Sequence, residues 1–271
     1  MLRSALCISC LFFFLAFPIA LAAAEKGVVL SPLRMVIEGR DRSATLRIIN
    51  PNDRPVTYRI DAEVLDQDVY GNLKISENKE RTEAILQMIR FSPRQVLLEP
   101  GAMQAVRIMV KKPAKLADGE YRAHIKVSPM PAPEAPDKTE PTESSGETRI
   151  DLRFLVATSI PLIIRHGETA VRLEAQGLEA QTFSDGKKAF KTRIFAKGNR
   201  SAYMDAALFH GTSLVGEMKG FAVYQPLGER EVMIPLKGEF PPVGNPLRLL
   251  LYDREKEGTP LIREIPLTLE P

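Results

Sequence analysis

Apolar and polar positions alternate along most of this chain, with the period of a β-strand rather than of a helix. Residues 44–49 (ATLRII) predict a strand, closed by the turn chemistry of Asn50-Pro51-Asn52-Asp53. Residues 56–64 return from that turn with Val56, Tyr58, Ile60, Ala62 and Val64 on one face, the signature of a half-buried strand. FSPRQVLLEPGAMQAVRIMV holds a strand, a Pro100-Gly101 turn and another strand. After Asp118-Gly119, EYRAHIKV sets Tyr121, Ala123, Ile125 and Val127 on one side. Residues 82–89 (TEAILQMI) fit a short helix, a crossover or an edge strand, and the pattern leaves these open.

Residues 129–148 break the pattern. Prolines at 129, 131, 133, 136 and 141 mix with Glu, Ser, Thr, Asp and Lys, too little apolar surface to order a segment, so a mobile loop within a first domain is expected. Alternation then resumes: Ile150, Leu152, Phe154, Val156, Thr158, Ile160, Leu162 and Ile164 share one face. Pro161 has no N–H for a ladder, so the strand must bend, end or become an edge there. The part before Pro161 is assigned to the first domain (residues 25–165), and Arg165-His166-Gly167 opens a second one (166–271). There VRLEAQGLEA, AFKTRIFAKGN, MDAALFHGTSLVGEMKGFAVY, REVMIPL and PLRLLLYD read as strands or hairpins, which predicts a second sandwich.

The first residues predict export. Arg3, an apolar run from Ala5 to Leu21 and small residues at Ala20, Ala22, Ala23 and Ala24 form a signal peptide (1–24), with cleavage after Ala22 or Ala24. Both cysteines, Cys7 and Cys10, lie inside it, so the mature chain is expected to carry neither disulfides nor thiol chemistry. About 245 residues remain, enough for two ordinary domains. The net charge of +3 is spread over many balanced charges, without a long basic run, which argues against nucleic acid as a partner. No second apolar stretch is long enough to span a bilayer, so no stable membrane insertion is expected after cleavage. His124, His166 and His210 have no metal-ligand spacing, and neither a serine-hydrolase signature nor a phosphate-cradling loop occurs. No enzymatic activity, cofactor or metal is expected.

Several segments resemble the PapD-like periplasmic chaperones that assemble pili and fimbriae. VVLSPLRMVIEG is similar to that family's first strand, and SATLRIINPNDRPVTYRIDAEV to its second and third. FSPRQVLLEPGAMQAVRI carries P-x-x-x-x-L-x-P-G-x-x-x-x-V-R, the most specific local signal. DGEYRAHIKV resembles the penultimate strand of the first domain, while the second domain matches loosely through FAKGNRSAYMDAALF. The resemblance implies an all-β chain of two immunoglobulin-like sandwiches in an L-shaped (boomerang) arrangement. It implies a periplasmic chaperone that caps pilus subunits by donor-strand complementation, a mechanism of sheet-edge recognition, and hands them to an outer-membrane usher. Carried onto this sequence, Arg34 is a cleft cation for the subunit's C-terminal carboxylate. Ile150, Leu152, Phe154 and Val156 are the donor positions on a lent strand spanning 150–160, Glu120 and Arg165 set the interdomain angle, and Arg107 is structural. The family's second cleft lysine falls on Pro161, so Arg122 or Lys126 on the neighbouring strand is the expected replacement. The alternative reading is a secreted or periplasmic adhesive or carbohydrate-binding sandwich, although the chain has no tryptophan for a sugar platform.

Overall fold

The computed structural model describes residues 27–131, 155–258 and 260–270. They form two immunoglobulin-like β-sandwiches. In the first, the strands in chain order are β1 (Val29–Ser31), β2 (Met35–Ile37), β3 (Ser43–Ile49), β4 (Val56–Glu63), β5 (Leu65–Gln67) and β6 (Leu73–Ile75). After helix α1 (Lys79–Gln87) come β7 (Ile89–Ser92), β8 (Gln95–Leu98), β9 (Met103–Val110), β10 (Gly119–Pro129) and β11 (Thr158–His166). One sheet has the order β1-β3-β9-β7 and the other β2-β11-β10-β4-β8, with β5 and β6 forming a separate hairpin.

The predicted alternation is what closes this sandwich. Leu46 and Ile48 face Val56, Tyr58 and Ile60 across the core, joined by Val106, Ile108, Ala123, Ile125 and Val127, all essentially buried. The Asn50 turn is fixed from inside: its amide donates to the Leu98 and Arg54 carbonyls at 2.9 and 2.8 Å, and its Oδ1 accepts the Asn52 N–H at 3.0 Å. Such bonds satisfy backbone groups that the bend would otherwise strand. The segment left open between helix and strand is helical. Asn78 caps α1 by accepting the Arg81 N–H at 2.9 Å, and Ile85 anchors it to the core.

The second sandwich comprises β12 (Val171–Thr182), β13 (Lys188–Gly198), β14 (Ala202–His210), β15 (Ser213–Val223), β16 (Glu229–Pro235), β17 (Pro246–Asp253) and β18 (Leu261–Thr268). Its sheets run β12-β13-β16 and β15-β14-β17-β18 around a core of Phe190, Ile194, Met204, Leu208, Val232, Ile234, Leu249 and Leu251. The sequence pattern missed β18, a mostly exposed edge strand interrupted by Pro266, where one missing ladder donor is tolerated.

Pro161 does not stop β11, which continues through it to His166 in unbroken antiparallel register with β10, Pro161 standing opposite His124. Arg165 and His166 thus belong to the sheet of the first sandwich. On its other side β11 meets β2 only at residues 162–164, in parallel. Pro161 therefore sits one residue beyond that cover, at an edge. Gly167 makes the exit turn at φ +61°, and a side chain there would collide with the Asp118 carboxylate. That carboxylate accepts the Glu168 N–H at 3.1 Å, so the linker is clamped at its first residues.

Candidate functional site

Alternation along β10 and β11 sends Ala123, Ile125, Val127, Ile160, Leu162 and Ile164 into the first core. The intervening residues point to the opposite face, which the second domain covers in part. There Ile163 packs with Ala222 and Tyr224, flanked by Val36 and Tyr203. The β5–β6 hairpin extends the contact: the Gln67 amide donates to the Ala222 carbonyl at 3.3 Å and its Oε1 accepts the Tyr224 N–H at 2.9 Å. The Val69 carbonyl accepts the Glu231 N–H at 2.6 Å. Sequence reading passed over this hairpin, although Asp68 and Gly71 are turn residues and Asp68 Oδ1 caps two backbone N–H groups.

A buried charge network crosses the same interface. Arg165 is 4% exposed and donates to Glu120 at 3.1 Å, to Glu38 at 3.0 Å and to Glu255 at 2.6 Å. Glu255, from the turn after β17, also accepts from Arg34 at 2.7 Å and from Arg200 at 3.1 Å. Burial alone would raise the Glu255 carboxyl, but Arg34 and Arg165 outweigh it and hold the group below its ordinary range. For Arg165, burial pulls downward while Glu255 and Glu120 lift the guanidinium above its usual value. The Glu120–Arg165 contact read from sequence is thus present, within a larger constellation. Glu38, Arg200 and Glu255 were missed because each looks like a solvated loop charge until the domains meet.

The three cations assigned to carboxylate anchoring sit in different settings. Arg34 is 13% exposed, bound to Glu255 and to the Tyr224 hydroxyl at 3.0 Å, and lies over the Tyr203 ring at 4.8 Å. Arg122 is buried against the Tyr224 ring at 4.0 Å, and its only hydrogen bond among the described residues is a long one, 3.5 Å, to the Gln225 carbonyl. Burial pushes its pKa down to about 10, the field of Tyr224 and Glu120 offsetting part of that cost. Lys126 is 39% exposed, 3.5 Å from Glu63, whose other oxygen accepts from the Ser159 hydroxyl at 3.1 Å. Between Arg122 and Lys126 lies His124, buried, with both ring nitrogens unpartnered among the described residues. Burial, reinforced by Arg122 and Arg34, depresses its pKa to about 3.

Ile150, Leu152 and Phe154 lie outside the described residues. Val156 is described and is 57% exposed, next to exposed Leu155, in the stretch that leads into β11. Among the described residues, no strand pairs with β11 on the β2 side before Leu162. Arg107, assigned a structural role, points outward from β9 and is exposed.

Among the described residues no metal-holding cluster is found, and no helix is long and apolar enough to cross a membrane. No family model matches the chain, and no curated protein matches it by sequence. Solved structures do match. A chain of the CsuC–CsuE chaperone–tip adhesion subunit pre-assembly complex from the archaic chaperone-usher Csu pili of Acinetobacter baumannii is 14% identical, with a TM-score of 0.51. The match covers 91% of this chain and 100% of that one. The E. coli chaperone DraB (15% identity, TM-score 0.49, 90% and 97% covered) and the Pseudomonas aeruginosa chaperone CupB2 (13%, 0.49, 89% and 100%) are also similar. At these identities the likeness is one of fold: this chain has the two-sandwich fold found in pilus-assembly chaperones.

Proposed function

We propose that this protein is a periplasmic chaperone for pilus subunits. It captures them by adding the 150–160 segment as a strand to their incomplete sheet and delivers them to an outer-membrane usher. The observation that carries this reading is the half-covered strand β11. Its C-terminal part is paired on both sides, whereas among the described residues nothing pairs with the β2-side edge of its N-terminal part, which follows exposed Leu155 and Val156. A free edge next to apolar side chains is an aggregation hazard unless it has a partner, and a subunit lacking one strand is such a partner. Backbone bonds along the edge supply affinity, and side chains at alternate positions set register.

Of the candidate anchors, Lys126 is the one open to solvent. It stands opposite Ser159 on the neighbouring strand β10, 3.5 Å from the half-buried Glu63 carboxylate. Arg34 and Arg122 are covered by the second domain, which suits them to orienting the cleft rather than to meeting a chain terminus.

The test is co-expression with a candidate subunit. Changing Phe154 and Val156 together to Asp is expected to abolish co-purification of the subunit while the chaperone's thermal unfolding stays unchanged. Undiminished subunit yield would defeat the donor-strand reading. Lys126→Gln is expected to weaken capture without abolishing it.

A further inference from the structure

The second sandwich has an open seam where edge strand β12 of one sheet approaches edge strand β18 of the other, and a pocket of about 480 Å³ lies there, beside the interdomain network. Four cations line it: Arg172, Arg200, Lys256 and Arg263. Its one lining carboxylate, Asp253, is buried and already accepts the Glu255 N–H at 2.9 Å. Leu173 and Ile262 give it an apolar side.

This concentration of charge departs from the habit of the rest of the domain. Elsewhere its surface cations meet nearby carboxylates: Lys191 with Glu179 at 2.6 Å, Arg248 with Glu264 at 3.1 Å, Lys237 with Glu217 at 2.7 Å. Among the described residues, Lys256 and Arg263 form no close ion pair, although Arg263 lies near enough to Glu174 to help lower its carboxyl. Arg172 reaches Glu174 at 3.3 Å, but that carboxylate is taken by Lys197 at 2.5 Å. Like charges crowded round a concavity repel one another unless an anion sits among them. Arg200 adds a second property. It lines the pocket, yet its Nη2 bonds Glu255 of the interdomain network at 3.1 Å, while its buried Nε has no hydrogen-bond partner among the described residues.

We propose that this pocket binds a small multivalent oxyanion, a polycarboxylate or a phosphate, and that its occupancy is coupled to the interdomain network through Arg200. An anion in the pocket competes with Glu255 for the Arg200 guanidinium. Coupling of this kind is reciprocal, so loosening Arg200 from Glu255 tightens anion binding by the same factor that the anion loosens the contact. The site is separate from the β11 edge and does not depend on the client reading.

The test is calorimetric titration of the mature protein with citrate and, separately, with inorganic phosphate, at constant ionic strength and with chloride as the reference anion. Saturable binding of one or both is expected, and which one binds distinguishes the carboxylate from the phosphate source. Changing Lys256 and Arg263 together to Gln is expected to weaken it by about tenfold or more, since each tenfold is about 1.4 kcal/mol. Arg248→Gln, on an exposed pair elsewhere, leaves it unchanged. Glu255→Gln is expected to tighten binding, and not to do so when Arg200 is also Gln. If Glu255→Gln does not fold, Arg200→Lys, which keeps the charge but loses the forked geometry, is expected to weaken binding on its own. Absence of saturable binding for both anions, or an equal response from the Lys256/Arg263 variant, overturns the site. Unchanged affinity in Glu255→Gln, or in Arg200→Lys where that variant replaces it, overturns the coupling.

Discussion

Two sets of ion pairs in this molecule use the same chemistry in opposite surroundings. At the domain interface, Arg165, Arg34 and Arg200 converge on Glu255, and Arg165 and Glu255 are both nearly closed to water. On the sheets of the second sandwich, Lys191 meets Glu179 and Arg248 meets Glu264 in the open. The distances are similar, so distance does not separate them. Water does. An exposed pair trades protein contacts for solvent contacts that are nearly as good. A buried network must be complete, because any charge left without its partner has nothing to replace it. The interface therefore depends on all of its members, while the sheets tolerate losing theirs.

The sharpest way to break this contrast is Glu255→Ala, which leaves Arg34, Arg165 and Arg200 short of one shared carboxylate. A loss of about 3–5 kcal/mol of unfolding free energy is expected in urea denaturation, the range for breaking a buried pair. Arg34→Ala follows, with a smaller loss, since Glu255 keeps Arg165 and Arg200. As a cleft anchor alone, Arg34 would leave stability unchanged when removed, so this measurement separates the two roles.

Acid titration sharpens the comparison next. His124 binds a proton in the unfolded chain near pH 6.5 but in the folded protein only near pH 3. Its folded value is depressed, so its contribution is fully present above pH 6.5 and is lost as pH falls toward 3. The expected slope is about 1.4 kcal/mol per pH unit within that window. The Glu255 carboxyl, also depressed, adds to the loss in more acidic solution. His124→Gln is expected to flatten the profile above about pH 5, where carboxylates are still ionised. Lys191→Gln is the smallest effect: a midpoint shift within measurement error, vanishing as salt is added.

The sequence reveals what repeats and hides what meets only once. Strands β3, β4, β9 and β10 are legible because Leu46, Tyr58, Ile108 and Ile125 belong to patterns that place every second residue against one core. The Glu120–Arg165 contact was reachable through the family resemblance, since both residues lie on paired strands of one sheet. Glu255 was not. It follows the predicted strand PLRLLLYD in a polar turn, and its partner Arg34 is separated from it by 221 positions. Nothing local distinguishes such a carboxylate from a solvated one. Arg107 shows the converse: a specific motif marked the position, yet the side chain emerges on the outer face of its sheet.

Along β11, odd and even positions carry different duties. Ser159, Ile163 and Arg165 serve the interface and the cleft, whereas Ile160, Leu162 and Ile164 serve the core. A single residue gained or lost between Ser159 and Arg165 would swap the two sets, sending the guanidinium inward and isoleucine into the charge network. Descendants of this gene can thus exchange side chains along that stretch one at a time, but can change its length only in steps of two.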